Sequence, residues 1–216
     1  MIELFAPGPR CDLRPAYPKE GAFAYLGRSA RPEADAIRST VEDWLNGYPP
    51  EEADTLAARL RSRRDDQHLA AFFELLLHRL LRALGHRILA VEPKLPHTWK
   101  SPDFLLEGFY LEGIAAQGDL HAVLKRKASR YGALDLPLVV AVNCPDDEAG
   151  LRRALDDLWL GPRGPQRRTL SAVLAVEQAD PWTFRDSRLR LLRHPAAEHP
   201  LPEVDLGEGR RLGELV

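Results

Sequence analysis

Asp103 and Glu112 stand nine residues apart, separated by Phe104-Leu105-Leu106, the pair Glu107-Gly108 and Phe109-Tyr110-Leu111. Two apolar runs joined by Glu-Gly read as a hairpin, with strands over Asp103 to Leu106 and Phe109 to Ala116. Asp103 opens one arm and Glu112 lies on the other, so the turn carries both carboxylates to one end of a sheet. Converging carboxylates are what a hard cation takes, and they leave positions open for water and phosphate. A third carboxylate, Glu74, lies about 110° round a helix from the centre of its apolar stripe at ~100° per residue. From that shoulder it could reach a sheet edge. Lysine is scarce: Lys19, Lys94, Lys100, Lys125 and Lys127 stand against twenty-five arginines. Four of the five fall between residues 94 and 127, where a compact, tunable amine does what a guanidinium cannot.

The elements that must position these groups follow from periodicity. Leu69, Phe72, Phe73, Leu76, Leu77, Leu80, Leu81 and Leu84 keep the i, i+3, i+4, i+7 pattern of one long helix, with Asp65 and Asp66 as N-cap candidates and Gly85 as its end. A strand is expected over His86 to Glu92. After the hairpin, Asp119 caps a helix striped by Leu120, Val123, Leu124, Ala128 and Tyr131 and closed by Gly132. Leu136 to Cys144 is a near-continuous apolar run, as in a strand covered on both faces. The order helix, strand, strand, strand, helix, strand predicts an α/β fold with a mixed sheet flanked by helices. A helix over Asp146 to Leu160 and strands over Leu170 to Val176 and Leu189 to Leu192 extend it.

A glutamate on the first core helix, then Pro102-Asp103, then Glu112 on the next strand, in this element order, resembles the PD-(D/E)XK nuclease superfamily over about residues 66 to 144. The resemblance implies a restriction-endonuclease-like αβββαβ core that holds Mg²⁺ (or Mn²⁺) through Asp103 and Glu112, with Glu74 assisting, and acts on DNA. The departure is the position two residues beyond Glu112. The family pattern wants a lysine there, and Ile114 stands in its place. Lys127 is the candidate replacement, because it falls on the apolar stripe of the following helix, where an amine needs a partner. Some members of the superfamily have such a migrated lysine. Ile114 also supports a second expectation, a catalytically inactive nuclease-like module that binds nucleic acid or a protein partner. A third is a purely structural accessory domain.

Each residue also has a plain explanation. Glu74 could pair with His78, Asp103 could cap the turn that opens its strand, Glu112 could face solvent, and Lys127 could lay its stem along the stripe with its amine in water. Tyr131 reads as helix packing rather than a base-stacking platform. Lys100, close to Asp103, is a second donor candidate. His97, His121 and His194 share no ligand spacing.

The first thirty residues, with Pro7, Gly8, Pro9, Pro15, Pro18 and Gly21, read as an extended arm that drapes over the core and can be removed without loss of cooperative folding. Helices are expected from Pro32 to Gly47 and from Pro50 to about Arg61. The expected division is an N-terminal segment over 1–64 and the nuclease-like core with its C-terminal extension over 65–216. In 216 residues, 44% hydrophobic and 29% charged, the balance is that of a globular chain. No apolar run approaches the ~20 residues of a membrane span, and Met1 leads into no signal peptide, so the expectation is a cytoplasmic protein away from membranes. Cys11 and Cys144 suggest neither a disulfide framework nor a zinc site. A net charge of −2 gives no global pull on DNA, so any phosphate-binding surface must be local. Candidate clusters are Arg59 to Arg64, Lys125 to Arg130 and Arg163 to Arg168. A homodimer is left open.

Overall fold

The computed structural model describes residues 2–115, 119–144, 148–161 and 169–216. The chain divides into two compact units. One runs up to Arg79 and takes in Asp180–Trp182; the other comprises Leu80–Ala179 and Thr183–Val216. The division falls within the long helix, whereas the sequence reading assigned that helix whole to the core.

The first unit is helical: α1 (Ala22–Arg28), α2 (Pro32–Asn46), α3 (Pro50–Leu60) and most of α4 (Asp65–Ala83). Pro32 and Pro50 start α2 and α3, where a missing N–H costs nothing. The arm is not simply extended. It contains α1, whose Leu26 is buried, and Leu4 and Phe5 are buried too, with both their N–H groups donating to Glu42 Oε1. Nor does Asp65 cap α4. It is the first helical residue, and its Oδ1 accepts from the N–H of Ala22, at the start of α1, at 2.9 Å. A partner 43 residues away leaves no trace in local sequence, which is why α1 went unforeseen.

The second unit is built on one six-stranded sheet in the order β1-β2-β3-β4-β5-β6. The strands are β1 (Ile88–Val91), β2 (Phe104–Leu106), β3 (Phe109–Ala115), β4 (Leu138–Cys144), β5 (Leu170–Glu177) and β6 (Leu189–Arg193). β1, β2 and β3 pair antiparallel, β3, β4 and β5 parallel, and β6 returns antiparallel. α5 (Leu120–Ala128) and α6 (Glu148–Trp159) make the two parallel crossovers. Because both crossovers step in the same direction across the sheet, right-handed connections put both helices on one face. The apolar cluster there joins Leu124 of α5 and Leu151, Leu155 and Leu158 of α6 to Tyr110, Ile114, Val140 and Val142 of the sheet. On the opposite face Phe104, Phe109, Leu111, Val139, Ala141 and Leu174 are fully buried. The expected α/β fold with a mixed sheet is therefore what forms. α5 is shorter than anticipated, with Ser129 as its C-cap rather than Gly132. Ala116 and the stretches 145–147 and 162–168, which include Asp146 and the third arginine cluster, lie outside the described residues. No helix among the described residues is long and apolar enough to cross a membrane.

Candidate active site

β2 and β3 are joined by Glu107-Gly108, with Leu106 paired to Phe109 and Phe104 paired to Leu111. One step further, the same register sets Asp103 opposite Glu112. Residues so opposed have Cβ atoms ~4.5–5.5 Å apart, and like charges there repel. Alternation along β3 turns Glu112 to the same face as Tyr110 and Ile114, beneath α5. Only 3% of the Glu112 side chain is exposed. A carboxylate so placed requires partners, and among the described residues three supply them.

Lys127 Nζ of α5 forms an ion pair with Glu112 Oε1, and Arg130 NH1 lies 3.4 Å from the same oxygen. The Tyr131 hydroxyl donates to Glu112 Oε2. Burial raises the Tyr131 phenol well above its ordinary value, so it remains a donor. Burial also pushes the Lys127 amine down, to about 8, aided by the charge of Arg130 and opposed by that of Asp103. Asp103 is half-buried, and its Oδ2 accepts from the Gly113 N–H at 2.6 Å. The result is a compact constellation of two carboxylates, an ammonium, a guanidinium and a phenol at the end of the β2–β3 hairpin.

Of the expected residues, the structure brings together Asp103, Glu112 and Lys127. Glu112 is buried rather than solvent-facing, and Lys127, 12% exposed at its side chain, reaches a carboxylate instead of water. Ile114 is buried in the apolar cluster with Leu124, Tyr131 and Val142, so the strand position that the family pattern gives to lysine is filled by packing. Glu74 is buried within the first unit, where Tyr48 Oη donates to its Oε1 at 2.9 Å and Arg59 NH1 to its Oε2 at 2.7 Å. The part played by Arg130 and Tyr131 was not foreseen. Their i+3 and i+4 spacing from Lys127 was the available signal.

No family model, curated protein or solved structure matches the chain. Among the described residues, no group of three or more His, Cys, Asp or Glu side chains is arranged to hold a metal ion. Asp103 and Glu112 present two carboxylates, the number by which Mg²⁺ is commonly held while water and substrate phosphates fill the other positions, and both Glu112 oxygens already accept from Lys127, Arg130 and Tyr131.

Proposed function

We propose that the chain is a metal-dependent phosphodiesterase acting on DNA, of the PD-(D/E)XK type, with its strand lysine replaced from α5. The observation that carries this reading is the Lys127 ammonium on Glu112, with Asp103 opposite in register. Two carboxylates facing each other across strands repel unless cations lie between or beside them. Here the protein supplies Lys127 and Arg130, and a divalent ion would serve the same electrostatic need. Asp103 and Glu112 would hold Mg²⁺ or Mn²⁺, which when bound supplies an activated water and neutralises phosphate charge. Lys127, on the rim of that pair, is the preorganised cation for charge that develops on a phosphate oxygen. Arg130 and Tyr131 hold Glu112 in orientation. Glu74, the assisting carboxylate that the resemblance implies, has its oxygens on Tyr48 and Arg59 of the first unit.

A second reading, a module that binds nucleic acid or protein without cleaving it, is favoured by Ile114 packed in the apolar cluster and by the full set of donors on Glu112. Plasmid nicking with Mg²⁺ or Mn²⁺ separates the two. The unmodified protein is expected to nick, Asp103→Asn to be inactive, and Lys127→Ala to lose ~10²–10³ in rate, as removal of one preorganised donor costs elsewhere. Lys127→Arg is expected to rescue little, because a planar fork does not replace a point charge. Activity that survives Lys127→Ala unchanged would reject the lysine's role. An inert protein that gains activity as Ile114→Lys would establish a decayed nuclease. Thermal melting of each variant shows that losses are not unfolding, and calorimetry with Mn²⁺ is expected to show binding that Asp103→Ala abolishes.

A further inference from the structure

Between β1 and β2 the chain presents Trp99, 88% exposed, the most exposed of the large apolar side chains among the described residues. Its backbone is firmly held. The Glu92 N–H donates to the Asp103 carbonyl at 2.9 Å, Pro93 and Pro102 are buried, and Leu95 and Thr98 form an isolated bridge across a tight turn. The Lys100 N–H donates to Thr98 Oγ1 at 3.1 Å. Leu95 packs against the cluster that contains Tyr110, Ile114, Leu124 and Tyr131, which anchors the segment on the face where Glu112 meets Lys127. Trp99 precedes Asp103 by four residues. Its indole projects from this braced turn, with Lys100 Nζ 5.6 Å from the ring centroid and Lys94 exposed on the same segment.

A tryptophan left in water forfeits the stabilisation that burial gives an indole. Set beside two lysines, it has the composition of a single-strand platform, with a flat π-face for a base and ammonium groups for the phosphates on either side. In a duplex the base faces are already covered by their neighbours and an indole finds nothing to stack on. We propose that Trp99 stacks on an unpaired nucleobase and that the substrate of the Asp103–Glu112–Lys127 site is single-stranded or locally opened DNA. Only the word substrate rests on the phosphodiesterase reading. The stacking rests on Trp99 and its lysines.

The test is fluorescence anisotropy of a labelled oligothymidylate, and of a duplex of equal length, titrated without metal into the full chain. The unmodified protein is expected to prefer the single strand. Trp99→Ala should weaken that binding about 5- to 150-fold, the factor that stacking one base is worth, while Trp99→Phe keeps most of it and duplex binding is unmoved. Because Trp99 is exposed, neither change threatens the fold. Single-strand affinity unaffected by Trp99→Ala, or absent in the unmodified protein, overturns the proposal and leaves Trp99 to a protein contact. Cleavage of the same oligonucleotide with Mn²⁺ is read in parallel. Binding that depends on Trp99 without cleavage retains the platform and removes the phosphodiesterase, and cleavage indifferent to Trp99→Ala does the reverse.

Discussion

Glu112 is a carboxylate taken almost wholly out of water, and at the scale of single residues its surroundings show what that requires. Burial of an ion costs several kcal/mol even after relaxation, and a single opposite charge seldom offsets it fully. Lys127, Arg130 and Tyr131 share the task, so removing one leaves two in place. His68 meets burial differently, by staying neutral. Its Nδ1 lies 2.6 Å from the Leu60 carbonyl, which only accepts, so Nδ1 carries the hydrogen; Nε2 is buried and has no hydrogen-bond partner among the described residues. Adding a proton there puts charge among apolar groups, and burial accordingly lowers the His68 pKa below its ordinary 6.5, against the opposing pull of the Leu60 carbonyl and Asp65. A depressed histidine contributes stability that is complete above the unfolded value and is lost as pH falls through it toward the folded one. The urea midpoint is therefore expected to be lower at about pH 5.5 than at about pH 7.5, with a smaller difference in His68→Leu. An unaltered difference in that variant would assign the acid sensitivity to other groups.

At the scale of elements, the site depends on the register of the β2–β3 hairpin, because a slip of one residue would turn Glu112 to the opposite face. Gly108 fixes the turn. Its φ of +95° is one that glycine adopts freely and residues with a Cβ rarely do, and a Cβ added there meets nothing within 4 Å. Gly108→Ala is thus expected to cost ~1–2 kcal/mol from backbone strain only, with Gly108→Asn milder, as measured by chemical denaturation. A loss no larger than that of an ordinary surface substitution would mean that the turn relaxes. α5 delivers Lys127 from a helix of nine residues held at its start by Asp119, whose side chain accepts from the N–H groups of His121 and Ala122.

At the scale of the whole molecule, the first thirty residues matter more than their composition suggests. Leu4, Phe5 and Leu26 are buried. The Arg38 guanidinium, buried on α2, donates to the carbonyls of Leu26 and Ser29 at 2.6 and 2.8 Å. Deletion of this segment would expose apolar surface worth ~1.5–3 kcal/mol per side chain and take two carbonyl acceptors from the buried Arg38, leaving its ion pair with Asp35. The truncated chain is expected to unfold at a clearly lower denaturant concentration than the full chain. An unchanged midpoint would return the arm to the role of a detachable cover.

Elements whose signals are local were legible in the amino-acid order. Helical spacing from Leu69 to Leu84 marks α4, the apolar run through Leu138 to Cys144 marks β4, and Glu107-Gly108 between apolar triplets marks the hairpin that opposes Asp103 and Glu112. It also singled out Lys127, because a charge on an apolar stripe is a local contradiction. What it could not determine depends on residues far apart in the chain. α1 forms where the Asp65 carboxylate reaches the Ala22 N–H and where Leu26 finds a core. Glu74 reads from the helical wheel as a shoulder residue, yet packing of α3 and the Tyr48 turn surrounds it with donors. For Glu112 the stripe pointed to Lys127, but the handedness of the crossover from β3 to β4 decides which face of the sheet α5 covers, and packing there adds Arg130 and Tyr131. Local propensity and periodicity act over a turn or a strand, whereas the environment of a buried charge is set by every element packed against it. That arrangement exists only in the tertiary structure.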